Sequence, residues 1–371
     1  MNNKKDHYVI FGGAGFAGTF IVFDIIKRYP NAKVTVVTRN LTKQIFFRNK
    51  NVKVINDIES ISDKDLKIIN LAFSLAKTFN ETNHSNNNLF KAIDQLISKN
   101  RVSSFVHVST IVLTQTGGMK VSKIKKDNMY SYSKIIGENN CKKIAEKHKI
   151  PVIILRSGNI LGPGSPWVDK IARRLIAKQP ILGKAENYPS NATFIGNLSY
   201  GILSLSNSVI PAGKLQIINF CEFGDVSWHK WVFAVNKCLN KEIVFWPLNS
   251  LKQINRGLVN DLKYVIKQGV SYVVPIAYKT KDLKIYLLKF IDLLKVKQAE
   301  NKAKKTVQNI EANNLEYYDN SEYSLQGVFM FEKKYKLENL PEEIKSNLPY
   351  NYDAVVSSIN NWLKYSGYSN L

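Results

Sequence analysis

The chain has 371 residues, 44% of them hydrophobic and 22% charged, and 53 Lys and Arg against 29 Asp and Glu give it a formal net charge of +24. That length exceeds one ordinary hydrophobic core, so one large domain with a smaller lobe, or two domains, is expected, and the composition argues against wholesale disorder. Its three cysteines, Cys141, Cys221 and Cys238, stand far apart with no CxxC pair and few His, which argues against a disulfide framework or a metal site.

Taken in chain order, the first half alternates short apolar runs with helical patterns. Tyr8–Phe11 reads as a strand, followed by a Gly-rich turn and a helix over Ala17–Tyr29 that stops before Pro30. Lys33–Thr38, Val52–Ile55, Ile68–Phe73 and Phe105–Ser109 read as further strands, with a helix over Asn88–Lys99. Tyr130–His148 is helical and Pro151–Leu155 is another buried strand. This alternation predicts an α/β fold: a Rossmann-type, doubly wound parallel sheet with helices on both faces. After about residue 160 the pattern loosens, starting with the loop Gly162–Pro166. Helices are predicted over Trp228–Leu239, Leu283–Lys304 and Tyr352–Tyr368. The expected organisation is a dinucleotide-binding domain over 1–165, with core strands continuing to about 225, and a smaller C-terminal α/β substrate lobe with helices over 166–371.

The strongest motif is VIFGGAGFAG, Val9 to Gly18, between the first strand and the first helix. Gly12 permits a tight turn, Gly15 lets backbone approach a pyrophosphate, and Gly18 lets helix and strand pack closely. The helix start then offers free N–H groups and a positive dipole end to phosphate. The second strand ends Val37-Thr38-Arg39-Asn40, with Lys43 nearby and no carboxylate at the tip. An acid there would bind a ribose 2′-hydroxyl; Arg39 suits a 2′-phosphate instead, which favours NADP with NAD as the alternative. Asp57, after the third strand, could accept from an adenine amino group or cap a helix.

Tyr130 and Lys134 form YxxxK, and the i, i+4 spacing puts both side chains on one helix face. An ammonium at that position would lower the tyrosine pKa, so that the phenol could exchange a proton with a substrate hydroxyl. Thr110 lies 20 residues earlier at a strand end, where its hydroxyl would complete a Thr/Tyr/Lys set. Tyr132, two positions along the helix, should face away from that set.

With GGAGFAG, Asn70-Leu71-Ala72, HVST, YSYSKIIGE and LRSGNILGPG in this order, the sequence resembles the extended short-chain dehydrogenase/reductase family, also called the NAD-dependent epimerase/dehydratase family. The resemblance covers residues 7 to about 240. It implies a cofactor site at Gly12, Gly15, Phe16, Gly18, Arg39, Asp57, Leu71, Ala72 and Lys134. It implies Thr110, Tyr130 and Lys134 as the catalytic set, and Asn159, in Arg156–Asn159, as a substrate contact. Two departures stand out. Ile111-Val112 replace the Asp-Glu pair of the family's dehydratases. The stretch Ser190–Asn197 lacks the Arg and Asp usual in nucleotide-sugar epimerases.

The expected function is NAD(P)-dependent oxidation, reduction or epimerisation at a hydroxyl or carbonyl of a sugar, nucleotide-sugar or related substrate. The alternatives are an NADP-linked carbonyl reductase or hydroxysteroid-dehydrogenase-like enzyme, and a non-catalytic cofactor-binding or RNA-associated member of the family. The basic residues are spread along the chain without a nucleic-acid signature, which reads as a solvated surface or a field for an anionic small molecule. No nucleic-acid or membrane partner is expected, a homodimer fits, and the absence of a signal peptide points to the cytoplasm.

Overall fold

Short β-branched runs make the strands of this chain, and each parallel crossover between them needs a covering helix. The computed structural model describes residues 6–48, 50–63, 65–76, 78–116, 129–178, 181–182, 188–243, 245–246 and 334–368. Apart from 78–80, these belong to one compact unit, which the following account concerns. The first half runs β1 (His7–Phe11), α1 (Phe16–Arg28), β2 (Lys33–Val37), β3 (Val52–Ile55), β4 (Leu66–Asn70), α2 (Phe79–Lys99), β5 (Val102–Thr110), α3 (Met129–His148) and β6 (Val152–Ser157). It continues β7 (Asn159–Leu161), α4 (Pro166–Ile176), β8 (Ile181–Leu182), β9 (Ala192–Phe194), α5 (Ile195–Asn207), β10 (Leu215–Phe220), α6 (Trp228–Leu239) and β11 (Phe245–Trp246). Two C-terminal helices follow, α7 (Glu342–Ser346) and α8 (Tyr352–Tyr365).

Seven strands pair in the order β10-β6-β5-β4-β1-β2-β3, every neighbour parallel. Chain order runs outward in opposite directions from β1 and β4. The crevice at their carboxyl ends is therefore the topological switch point, where open α/β sheets bind ligands.

Both faces of the sheet are covered. Val9, Phe11, Ile68, Phe105 and Ile154 pack with Phe90, Ile93 and Ile97 of α2 and with Cys141 and Ile144 of α3. The other face carries α1 and α5. Tyr8 stacks on Tyr29 at 6.0 Å, and Ser104 Oγ donates to the Ser206 carbonyl at 3.0 Å. Beyond the sheet, α4, α6 and α8 pack on one another. Trp167 meets Trp228 at 5.3 Å, and Trp231 meets Tyr352 at 5.1 Å. Ser165 and Ser227 cap α4 and α6 by accepting from Val168 N and Lys230 N.

The fold is the expected Rossmann-type α/β sheet, and the helix over Trp228–Leu239 falls at the bounds read from sequence. Other boundaries differ. The strand expected to reach Phe73 ends at Asn70, because the chain leaves the sheet at Leu71. α2 starts at Phe79 rather than Asn88. Its first turns carry polar residues on the buried face: Asn86 accepts from Ser74 N and donates to the Ser74 and Thr82 carbonyls. The last helix stops at Tyr365, three residues early. The helix expected over Leu283–Lys304 lies outside the described residues. Among the described residues no helix is long and apolar enough to cross a membrane, and no group of three His, Cys, Asp or Glu could hold a metal.

Candidate active site

The glycine turn behaves as its spacing implies. Gly12 has φ +77°, a left-handed conformation, and a Cβ there would lie 2.8 Å from the Ala72 nitrogen. A Cβ on Gly18 would meet the Gly12 oxygen at 2.2 Å and Gly13 Cα at 2.5 Å, so α1 can sit this close to the turn only without a side chain. At Gly15 a Cβ would meet nothing nearer than the Gly12 oxygen at 3.3 Å. That contact is tight but is with this one atom alone, at the residue just before α1. The helix start has no side-chain cap and no acid in its first turn. Its free N–H groups make a cradle that fits a dinucleotide pyrophosphate.

The neighbouring strand tips complete this part. Leu71 N donates to the Phe11 carbonyl at 2.9 Å, and Ala72 N to Asn70 Oδ1 at 3.0 Å, which brings Leu71-Ala72 against Gly12. Asn70 is held in turn: its Nδ2 donates to His107 Nδ1 at 3.0 Å, and His107 is buried and kept neutral, its pKa pushed down to about 3 by desolvation. Arg39 is exposed just past β2. Lys43, in the 3-10 turn Leu41–Phe47, donates from Nζ to the Ala14 carbonyl at 3.3 Å. Asp57 is exposed past β3, and its Oδ1 accepts from Glu59 N at 3.0 Å. This is a turn with no helix after it, which corrects the helix-cap reading.

Thr110 ends β5, and Tyr130 and Lys134 lie on α3 as the spacing required. The Thr110 hydroxyl lies near enough to the Tyr130 phenol to draw its pKa down. The Tyr130 ring meets Phe73 edge-on at 5.7 Å. Phe73 follows Leu71-Ala72, so a short path of contacts links the glycine turn to the phenol. Lys134 is buried, with Nζ donating to the Val108 carbonyl at 3.2 Å and standing 4.0 Å from the Phe73 ring centre. Tyr132, two positions along α3, is buried.

One electrostatic expectation is corrected. Lys134 does not lower the Tyr130 pKa in this arrangement. Desolvation raises the phenol above its usual value, and the Thr110 hydroxyl only partly opposes it. The reason lies in Lys134 itself, which burial brings down to about 7 against the pull of Glu138, and whose Nζ is turned to Val108 and Phe73.

Asn159 follows β6, whose Ser157 pairs with Thr110 across the sheet. Its Nδ2 donates to the Ser190 carbonyl at 2.7 Å, so the amide joins β7 to the Ser190–Asn197 stretch. The Glu222 carboxylate, just past β10, accepts from Phe194 N at 2.6 Å and from Asn197 Nδ2 at 3.3 Å at the start of α5.

Sequence reasoning passed over a buried group beside Lys134. Glu138 accepts from Ser109 Oγ at 2.7 Å and from Arg156 Nε and Nη2 at 2.8 Å each. Its signal was available: Tyr130, Lys134 and Glu138 recur every four residues, which on a helix is one stripe.

Comparison with known proteins agrees with this architecture. A model of the NAD dependent epimerase/dehydratase family matches residues 8–187. The chain is 26% identical over 217 residues to a Dictyostelium discoideum protein described as dTDP-D-glucose 4,6-dehydratase, covering 47% of this chain and 49% of that protein. It thus spans about half the length of the curated relative it matches. Among solved structures it is similar to the UDP-glucuronic acid 4-epimerase of Bacillus cereus in complex with UDP-glucuronic acid and NAD. That likeness has a TM-score of 0.52 at 18% identity, over 65% of this chain and 85% of that one. It is also similar to the Bordetella bronchiseptica enzyme WbmF in complex with NAD+ and UDP, with a TM-score of 0.52 at 16% identity over 73% and 94% of the two chains.

Proposed function

Because residues 8–187 belong to the NAD dependent epimerase/dehydratase family, we propose that the chain is an NAD(P)-dependent oxidoreductase or epimerase acting at a hydroxyl or carbonyl of a sugar or nucleotide-sugar. The observation that carries this reading is the grouping of Thr110 and Tyr130 beside a buried Lys134, joined through Phe73 to the glycine turn before α1.

Gly12, Gly15, Phe16, Gly18, Leu71 and Ala72, around the start of α1, would hold a dinucleotide's pyrophosphate, Asp57 would accept from its adenine amino group, and Lys134 would contact its nicotinamide ribose. Arg39, with Lys43 near it, would pair with a 2′-phosphate, which favours NADP. When bound, the nicotinamide supplies the hydride acceptor or donor. The chain's own groups handle the proton. Thr110 orients the substrate oxygen beside the phenol. Tyr130 holds its proton at neutral pH in this geometry, so it can donate to a carbonyl oxygen during reduction and becomes a phenolate; oxidation needs that phenolate, which takes the proton of the substrate hydroxyl. Lys134 contributes positive charge when protonated. Asn159 fixes the strand end beside the substrate, and the substrate-binding share of the chain lies after residue 165.

Dehydration is not part of the proposal, although the Dictyostelium discoideum relative is described as a dehydratase. After Thr110 comes the buried Ile111 and then Val112, and neither can act as an acid or base. The +24 charge supports an anionic substrate such as a nucleotide-sugar. The test is a redox and epimerisation assay of the purified chain against nucleotide-sugars with NAD+ and NADP+. No turnover by wild type with any of them, or turnover that survives Tyr130→Phe, would refute the reading.

A further inference from the structure

A buried ammonium needs a nearby anion, or it sheds its proton. Lys134 is 4% exposed, and its hydrogen-bond acceptor is a backbone carbonyl, which carries no net charge. The carboxylate closest in the chain is Glu138, one helical turn on and on the same face of α3. Glu138 is itself buried and held by three donors from two different strands: Ser109 Oγ from β5, and Nε and Nη2 of Arg156 from β6. Three donors, two of them from a forked Arg, hold the carboxylate in one orientation. Its place relative to the helix stripe is therefore fixed by the sheet rather than by its own rotamers.

We propose that Glu138 is a positioning residue of the site: clamped by Arg156 and Ser109, it holds the Lys134 side chain as a cation between Val108 and Phe73, where the cofactor ribose is to be met. The proposal rests on the assignment of Lys134 as a cofactor contact.

The surrounding groups are consistent with this role. From β5, His107 is buried and neutral, so it adds no charge, and Ser109 is already committed to Glu138. From β6, Arg156 is a cation, but its Nε and Nη2 both donate to Glu138. From α3, Tyr130 is raised and protonated, and the buried Cys141 thiol is pushed up by desolvation and by Glu138. Desolvation lowers Lys134 to about 7, and Glu138 is the group that opposes it. The site thus stands near its own switching point, where loss of one carboxylate charge changes the protonation of Lys134 at neutral pH.

The experiment measures dinucleotide affinity by calorimetry as a function of pH, using NADP+ and NAD+ with wild type, Glu138→Gln, Glu138→Asp and Lys134→Met. Wild-type affinity should fall as pH rises through about 7, with a limb that Lys134→Met abolishes. Glu138→Gln, which keeps the shape but loses the charge, should move that limb down by about one unit, a tenfold change in proton affinity. Glu138→Asp, which keeps the charge but spoils the fit to Arg156, should leave the limb in place even if overall stability drops. A merely structural Glu138 gives the reverse order, with Asp the more damaging variant and neither limb displaced, and that result overturns the proposal. If Glu138→Gln does not fold, Glu138→Asn, the neutral counterpart of the Asp variant, takes its place: a limb about one unit below that of Glu138→Asp supports the proposal, and equal limbs in the two overturn it. A wild-type limb that survives Lys134→Met overturns the assignment of Lys134, and the proposal with it. A limb that depends on Lys134 and ignores Glu138 overturns the proposal alone.

Discussion

Lys43 is fastened to Ala14: its Nζ donates to the Ala14 carbonyl at 3.3 Å, tying the segment after β2 to the glycine turn. Arg39 therefore belongs to a segment anchored beside the cradle rather than to a free loop. A guanidinium there forms a charge-assisted pair with a 2′-phosphate, a contact of about 1.5–3 kcal/mol. Arg39→Ala should weaken NADP by roughly 10- to 100-fold and leave NAD nearly unchanged. Calorimetric titration of both cofactors checks this, and equal losses, or a wild type that prefers NAD, would sink the assignment.

Two glycines of the same turn should fail in different ways. A side chain at Gly15 points into the cradle, and φ there is −87°, which any residue tolerates. Gly15→Val should abolish dinucleotide binding while the protein stays folded. At Gly18 the added methyl would overlap backbone of Gly12 and Gly13. Gly18→Ala should lower stability by about 1–3 kcal/mol or more. Thermal melts and cofactor titrations of the pair separate the two roles. A Gly15→Val protein with undiminished cofactor affinity would contradict the cradle.

Tyr130→Phe removes the hydroxyl near Thr110 and leaves the contact with Phe73. Folding and cofactor affinity should change little, while turnover should drop by the roughly 10²–10⁴-fold typical of a lost acid–base group. Lys134→Met should lower both turnover and cofactor affinity. Tyr132→Phe, at a buried ring two positions along α3, is the control. Loss of turnover in the Tyr132 variant with Tyr130→Phe still active would reverse the assignment.

Glu222 makes stability depend on pH. Burial raises its pKa from 4.5 to about 7, partly opposed by its hydrogen bonds at the start of α5. Between those two values the folded form keeps a proton that the unfolded chain has released, so stability falls as pH rises through that window. Gln at this position keeps an acceptor for Phe194 N and cannot ionise. Melting temperatures at about pH 5 and pH 8 should fall more in wild type than in Glu222→Gln, by about a few degrees. Parallel falls in the two proteins would refute this.

What could be read from the sequence divides along physical lines. The alternating runs of the first half locate the sheet, because parallel strands buried on both faces are apolar throughout. Gly12 and Gly18 announce their turn because a left-handed φ at the first and close backbone packing at the second require glycine. The start of α2 was hidden, since Thr82 and Asn86 fill buried positions with polar side chains that satisfy local backbone groups and break the apolar period. Glu138 lay in plain view in YSYSKIIGE, yet its significance depends on Arg156, 18 positions later and on another element. The state of Lys134 was beyond reach as well, because the depth of its burial comes from α3, β5 and Phe73 together.

The outward winding of the sheet from β1 and β4 has a consequence for how such a protein can change. Residues assigned to hold the nucleotide come mainly from the β1–β3 side, through Gly12 to Asp57. Residues assigned to move the proton come from β5, α3 and β6 on the other side. Leu71 to Phe73, at the tip of β4, is the narrow join between them. Substitutions that retune cofactor choice around Arg39 can therefore accumulate without disturbing Thr110 and Tyr130, and new chemistry can arise around Asn159 without rebuilding the nucleotide cradle. The chain is, in this sense, two separately adjustable halves sharing one hinge of sequence.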